Sequence, residues 1–149
     1  MQKFLVGVLL YITVTSGAFG QQLQPDKQDE KAVTKLIDDY SESREKSDTV
    51  LLKKILTPDV DQLVSTGEWR KGIRAAVDGM LKSSAGRPGS RTLTITNLRM
   101  IDINTSIVDC RYEIENEDRS LRKMWSTFMV VRGKKTWKIA AIRNMLPAN

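Results

Sequence analysis

The chain contains no histidine. That absence removes Ser-His and Cys-His nucleophilic pairs, the commonest general base, and almost every transition-metal site. There is one cysteine, Cys110, so no intrachain disulfide can form and stability must come from packing. A zinc site would need carboxylates alone, which is not how zinc is usually held. No metal and no cofactor are expected. Long hydrophobic runs are also scarce. Only residues 4–14 form one, and that stretch is shorter than the ~20 apolar residues a membrane helix wants. The net charge of +6 is mild and interspersed. A nucleic-acid surface wants a denser basic stripe with aromatics, so no nucleic-acid partner is expected. Gly86-Arg87-Pro88-Gly89 lacks the lysine of a phosphate-cradling loop.

What is present begins with Met1-Gln2-Lys3 and the apolar run. This fits the n- and h-regions of a secretory signal, with Ala18 and Gly20 at the −3 and −1 positions of a cleavage site. An N-terminal membrane anchor is the alternative. No cysteine follows the run, which disfavours a bacterial lipid anchor. The expected division is a signal peptide over 1–20, a short polar leader over 21–26 and one domain over 27–147. The mature protein is expected to be secreted or periplasmic in a bacterium, with no membrane contact after cleavage. A domain of this size buries about two-thirds of its unfolded surface, enough for one core.

Val33, Leu36, Ile37 and Tyr40 recur at i, i+3, i+4 and i+7, one apolar face of a helix. Asp26 can cap it, and it is predicted over 27–45. Ser47 or Asp48 can cap a shorter second helix, buried through Val50, Leu51 and Ile55, with Leu52 and Leu56 as further candidates, and stopped by Pro58. Residues 60–64 read as a short strand. Ile73, Ala76, Val77, Met80 and Leu81 predict a third helix over 71–83, followed by a Gly/Pro/Ser loop to Ser90. The period then changes from 3.6 to 2. Strands are predicted around 92–97, over 107–114 with Val108, Cys110, Tyr112 and Ile114 on the apolar side, over 121–131 and over 136–145. The last two form a hairpin around a short Gly-containing turn. Helices followed by an antiparallel meander make the class α+β rather than α/β. Cys110 reads as a buried small hydrophobe, with a reactive thiol as the alternative.

Four segments carry a family resemblance. They are Tyr40-Ser41-Glu42-Ser43, Leu56-Thr57-Pro58-Asp59-Val60, Gly67-Glu68-Trp69-Arg70-Lys71-Gly72-Ile73 and Trp137-Lys138-Ile139-Ala140-Ala141-Ile142-Arg143-Asn144. In order and spacing they resemble the NTF2-like superfamily, in its SnoaL-like/DUF4440 branch. The resemblance implies a cone of three N-terminal helices packed on a curved antiparallel sheet, with an apolar pocket at one end. It also implies homodimers in some members, and isomerases, cyclases, dehydratases, ligand carriers or chemistry-free modules as functions. Catalytic members place His, Asp or Tyr in the pocket; here there is no histidine, and Arg143 stands near the end of the last strand.

The candidate site residues follow from both readings. Tyr40 is either a hydrogen-bond donor to a ligand carbonyl or a core tyrosine. Asp61 is a base by analogy with ketosteroid isomerase, or an exposed strand residue. Tyr40 and Asp61 are thus the catalytic candidates. Trp137, Ile139, Ala141 and Arg143 share strand parity, so Arg143 grips an anion in the pocket or lies on the opposite face. Trp69 is a core plug or a lid, with a stacking platform as the alternative. Tyr40, Trp69, Tyr112, Trp125 and Arg143 are the expected ligand contacts. Three functions stand: a pocket for a small apolar or acidic molecule, a homodimerising interaction module, and an isomerase, cyclase or lyase built on Tyr40 and Asp61.

Overall fold

The computed structural model describes residues 26–86 and 88–148. The expected signal peptide, leader residues 21–25 and Arg87 lie outside the described residues. Helix α1 spans Lys27–Glu45 and α2 Thr49–Ile55. Strands β1 (Leu56–Leu63) and β2 (Trp69–Lys71) follow, then α3 (Gly72–Ala85). Four long strands complete the chain: β3 (Ser90–Asp102), β4 (Thr105–Glu115), β5 (Leu121–Arg132) and β6 (Trp137–Met145).

Local chemistry sets these boundaries. The Asp26 side chain accepts the Gln28 N–H at 3.0 Å and starts α1. Asp48 accepts the N–H groups of Val50 and Leu51, both at 2.9 Å, and starts α2. Each satisfies donors that the helix itself leaves unpaired. The chain leaves α2 directly into β1, and Pro58 sits in that strand rather than beyond a longer helix. A register irregularity between Leu56 and Asp61 accommodates it, as proline in a strand requires. Gly67, at φ +88°, makes the turn between β1 and β2.

The sheet order is β2-β1-β6-β5-β4-β3. Every neighbouring pair is antiparallel except β1 with β6, which run parallel. The expected all-antiparallel sheet is therefore corrected to a mixed one. β1 is far from β6 in sequence and reaches it through α3 and the meander, so no hairpin dictates its direction. The helices are not all N-terminal either, because β1 and β2 precede α3. The lead-in to α3 is itself the strand β2.

One face of the sheet is covered by helices. Val33, Ile37 and Tyr40 of α1, Leu52 of α2 and Val77 and Met80 of α3 pack on Val108, Cys110, Phe128, Val130, Ile139 and Ile142. The expected apolar side of β4 is buried as read: Val108, Cys110, Tyr112 and Ile114 are all buried. Burial pushes the Cys110 thiol up to about 12, so it stays protonated.

β6 departs from simple alternation. Met129 pairs with Ala141 and Val130 with Ile139, so Ala140 is an extra residue in the ladder. Such a bulge reverses the side-chain parity beyond it. Trp137 and Ile139 face the helices, and so does Ile142. Ala141 and Arg143 therefore point to the outer face. The expected common face of Trp137, Ile139, Ala141 and Arg143 is not formed.

Candidate functional site

A cleft of about 280 Å³ opens on the helix-covered side of the sheet at one end. Its rim is the β1–β2 turn and the C-terminal half of α3. Tyr112, Ile114 and Met124 form one apolar wall. These three make a small buried cluster of their own, separate from the main core.

The polar lining is cationic. Arg44, Arg70, Lys82 and Arg122 face it, against a single carboxylate, Glu68. Arg70, on β2, is 9% exposed. Its Nε donates to Glu68 Oε1 at 2.9 Å and its Nη1 to Gln62 Oε1 at 3.3 Å. The hydrogen bond and charge of Arg70 hold the Glu68 carboxyl below its ordinary value. A Cβ on Gly79 would come within 2.3 Å of Arg70 Nε. Glycine in mid-helix costs about 1 kcal/mol relative to alanine; here it makes room for the guanidinium.

Arg44 ends the buried stripe of α1 and is 6% exposed. Its Nη1 donates to the Tyr40 hydroxyl at 3.2 Å. Its Nη2 donates to the Met80 carbonyl at 3.3 Å and to Ser84 Oγ at 3.2 Å. Arg122, on β5, donates from Nη2 to Ser65 Oγ at 2.9 Å. All these partners are neutral. Beside them the Tyr112 hydroxyl is pushed above its ordinary value, chiefly by burial.

The expected site residues divide between the two faces. Tyr112 lines the cleft. Tyr40 lies beneath it, 2% exposed, in edge contact with Phe128 at 5.1 Å between ring centroids. It supports the floor by accepting from Arg44. Asp61, Trp69, Trp125 and Arg143 lie on the outer face. There Arg143 Nη1 donates to Asp61 Oδ1 at 2.8 Å, and its guanidinium sits 4.7 Å from the Trp69 ring centroid. Tyr40 and Asp61 are thus on opposite sides of the sheet and share no cavity. β1 alternates around Gln62, which takes the inward position. The catalytic pairing of Tyr40 with Asp61 is corrected on this ground. Trp69 is no core plug, being 49% exposed, and Trp125 is 44% exposed.

Sequence reasoning missed the arginines, although signals exist. Arg44 lies four residues beyond Tyr40 on the same helical face. Arg122 shares parity with the buried Met124 and Phe128. Gly79 interrupts a helix with no turn to make.

A second groove of about 550 Å³ lies between the start of α1 and the β5–β6 turn. Of its five cations, Arg132 and Lys35 are paired from within, and Lys54, Lys134 and Lys135 form no ion pair among the described residues. Arg132 pairs with Asp29 and lies 4.7 Å over the Trp137 ring, and Trp137 Nε1 donates to Asp29 at 3.3 Å. Lys35 pairs with Asp39 at 2.8 Å.

No protein-family model matches the chain, and no curated protein matches it. Solved structures do. A domain of unknown function with a cystatin-like fold from Nostoc punctiforme superposes with a TM-score of 0.75 at 11% identity, covering 84% of this chain and 81% of its own. A second Nostoc punctiforme protein of the same description gives 0.73 at 12% identity, covering 85% and 97%. An NTF-2 like protein of unknown function from Shewanella oneidensis gives 0.68 at 15% identity, covering 78% and 98%. The fold is the NTF2-like, cystatin-like α+β fold.

Proposed function

We propose that this protein binds a small acidic molecule in the cleft between α3 and the end of the sheet, as an exported NTF2-like domain of the SnoaL-like/DUF4440 kind. The observation that carries the reading is the charge imbalance of the lining. Three arginines and a lysine meet one carboxylate, and that carboxylate is already bonded to Arg70. Charges removed from water need counter-charges, and an anionic ligand supplies one. The lining favours binding over chemistry, because its one carboxylate is tied to a guanidinium and it holds no unengaged base.

The test is a thermal-shift and calorimetric comparison of matched acid and amide pairs, benzoate against benzamide first. Ligand that binds only the native state raises the melting temperature with concentration. Benzoate should raise it and benzamide should not. Equal behaviour of the two, or no response to any small carboxylate or phosphate, removes the reading.

A second reading concerns the outer face. Trp125 is paired in register with Met145 and Arg111, and Met129 with Ala141 and Ile107. Trp125, Met129 and Met145 are 44%, 43% and 50% exposed. Ion pairs of both signs flank them, Arg143 with Asp61 and Arg111 with Glu113. An apolar centre flanked by both charges suits a two-fold self-association. Sedimentation velocity should find a dimer that Trp125→Asp disperses; a wild-type protein that stays monomeric at high concentration counts against it.

A further inference from the structure

Arg44 differs from the other cations of the lining. Lys82 is exposed, Arg122 is half-buried, and Arg70 has Glu68. Arg44 is as buried as a core residue, at 6% exposed, yet no carboxylate among the described residues forms an ion pair with it. Its partners are a phenol, a backbone carbonyl and a serine hydroxyl. A guanidinium has five N–H donors. Those bonds use one on Nη1 and both on Nη2, leaving the Nε–H and one Nη1–H.

A buried cation without its anion is a costly arrangement, of order several kcal/mol for desolvation alone. The Arg44 guanidinium is also held in place, by α1 on one side and α3 on the other. A guanidinium held in place with N–H groups unused gives single charge-assisted hydrogen bonds to a carboxylate or phosphate with little loss of side-chain freedom.

The shape of the cleft narrows the ligand. Its apolar wall is Tyr112, Ile114 and Met124. Its volume of about 280 Å³ lies below the ~300–1,000 Å³ of drug-sized sites.

Resting on the cleft reading, we infer that Arg44 is the anchor of the site. Its ligand is a compact carboxylic acid, aromatic or branched, with the acid group on Arg44 and the apolar body against Tyr112, Ile114 and Met124. The Glu68–Arg70 pair closes the far rim and leaves the anchor as the uncompensated charge at the floor.

Two roles for Arg44 predict opposite stabilities. If it only ties α1 to α3, Arg44→Met unfolds the protein more easily. If it waits for an anion, the apolar replacement removes a buried uncompensated charge, and the empty protein melts no lower than wild type. The experiment measures melting temperature and calorimetric Kd for benzoate, inorganic phosphate and benzamide, in wild type, Arg44→Met, Arg44→Lys and Arg122→Met. The expected result is a benzoate response in wild type that Arg44→Met abolishes without lowering the baseline melt. Arg44→Lys keeps the charge but not the fixed planar donors and should weaken benzoate about tenfold. Arg122→Met should weaken it less.

A benzoate response that survives in Arg44→Met overturns the anchor while the cleft reading stands. A baseline melt lowered in Arg44→Met, with benzoate affinity unchanged in Arg44→Lys, overturns it as well. If Arg44→Met does not fold, the Arg44→Lys affinity decides alone, and an unchanged Kd refutes the assignment. Phosphate bound in preference to benzoate overturns the carboxylate class. No response of wild type to either anion removes the cleft reading itself.

Discussion

The two faces of the sheet handle charge in opposite ways. On the outer face, the charges near the centre, Asp109 apart, pair with an opposite charge and keep contact with water. Arg143 pairs with Asp61, with side chains 34% and 35% exposed. Glu113 takes Arg111 and Lys123, and Asp109 accepts from Thr127 at 2.7 Å. On the inner face, most of the strand length is apolar and dry, but at one end the lining becomes cationic. Arg44 and Arg122 there bond only neutral groups. Charge that is matched from within belongs to the fold. Charge left over on a buried wall marks where the molecule takes something from outside.

The largest test of this contrast uses neighbours in one strand. Phe128 is fully buried and Met129 is 43% exposed. Phe128→Ala leaves a cavity beneath α1 and should cost ~3–5 kcal/mol. Met129→Ala should stay within about 0.5 kcal/mol for the monomer. Urea denaturation at low protein concentration measures both. Similar losses at the two positions would mean that the outer face is also packed, and the comparison fails.

A smaller effect sits at Gly79. Alanine there gains ~1 kcal/mol of helix propensity but expels the Arg70 guanidinium, whose Nε would lie 2.3 Å from the new Cβ. Gln62, 1% exposed, then loses its donor, a loss of ~1–3 kcal/mol for a buried acceptor. Gly79→Ala should therefore destabilise by about 1 kcal/mol, the difference between those two figures. In an Arg70→Ala background the same change should stabilise by ~1 kcal/mol, since nothing remains to be expelled. The sign reversal is the readout. Stabilisation by Gly79→Ala in both backgrounds would show that Arg70 is not held against the helix.

How far the sequence carries a reader differs between these faces. α1 is legible to the residue, because its apolar stripe has the helical period and Asp26 caps it. The apolar side of β4 is legible for the same reason at period 2. β6 is not, because the Ala140 bulge breaks the parity that assigned Arg143 to a face. The large residues Trp137, Ile139 and Ile142 do carry the trace of it, since their spacing jumps from two to three. The cleft is the least legible part. Arg44, Arg70 and Arg122 come from α1, β2 and β5, and only the parallel β1–β6 pairing and the packing of α3 bring them together. A residue pattern within one element cannot show a charge imbalance assembled from three.

The smallest expected effect is on the outer face, at Asp61 and Arg143. Both side chains are about a third exposed, so the pair is screened and its coupling should be ~0.2–1 kcal/mol. The stacking of Arg143 on Trp69, itself 49% exposed, adds about 0.5–1 kcal/mol at such a site. A double-mutant cycle of Asp61→Asn and Arg143→Met, run at low and high salt, measures the ion-pair part. At low protein concentration it should be small and should shrink with salt, as exposed pairs do. At high concentration, a second copy seated on this face would remove water from the pair. The coupling would then grow and lose its salt dependence. A large, salt-insensitive coupling at every concentration would mean that Asp61 and Arg143 are desolvated in the single chain, and that the outer face buries charge just as the inner one does.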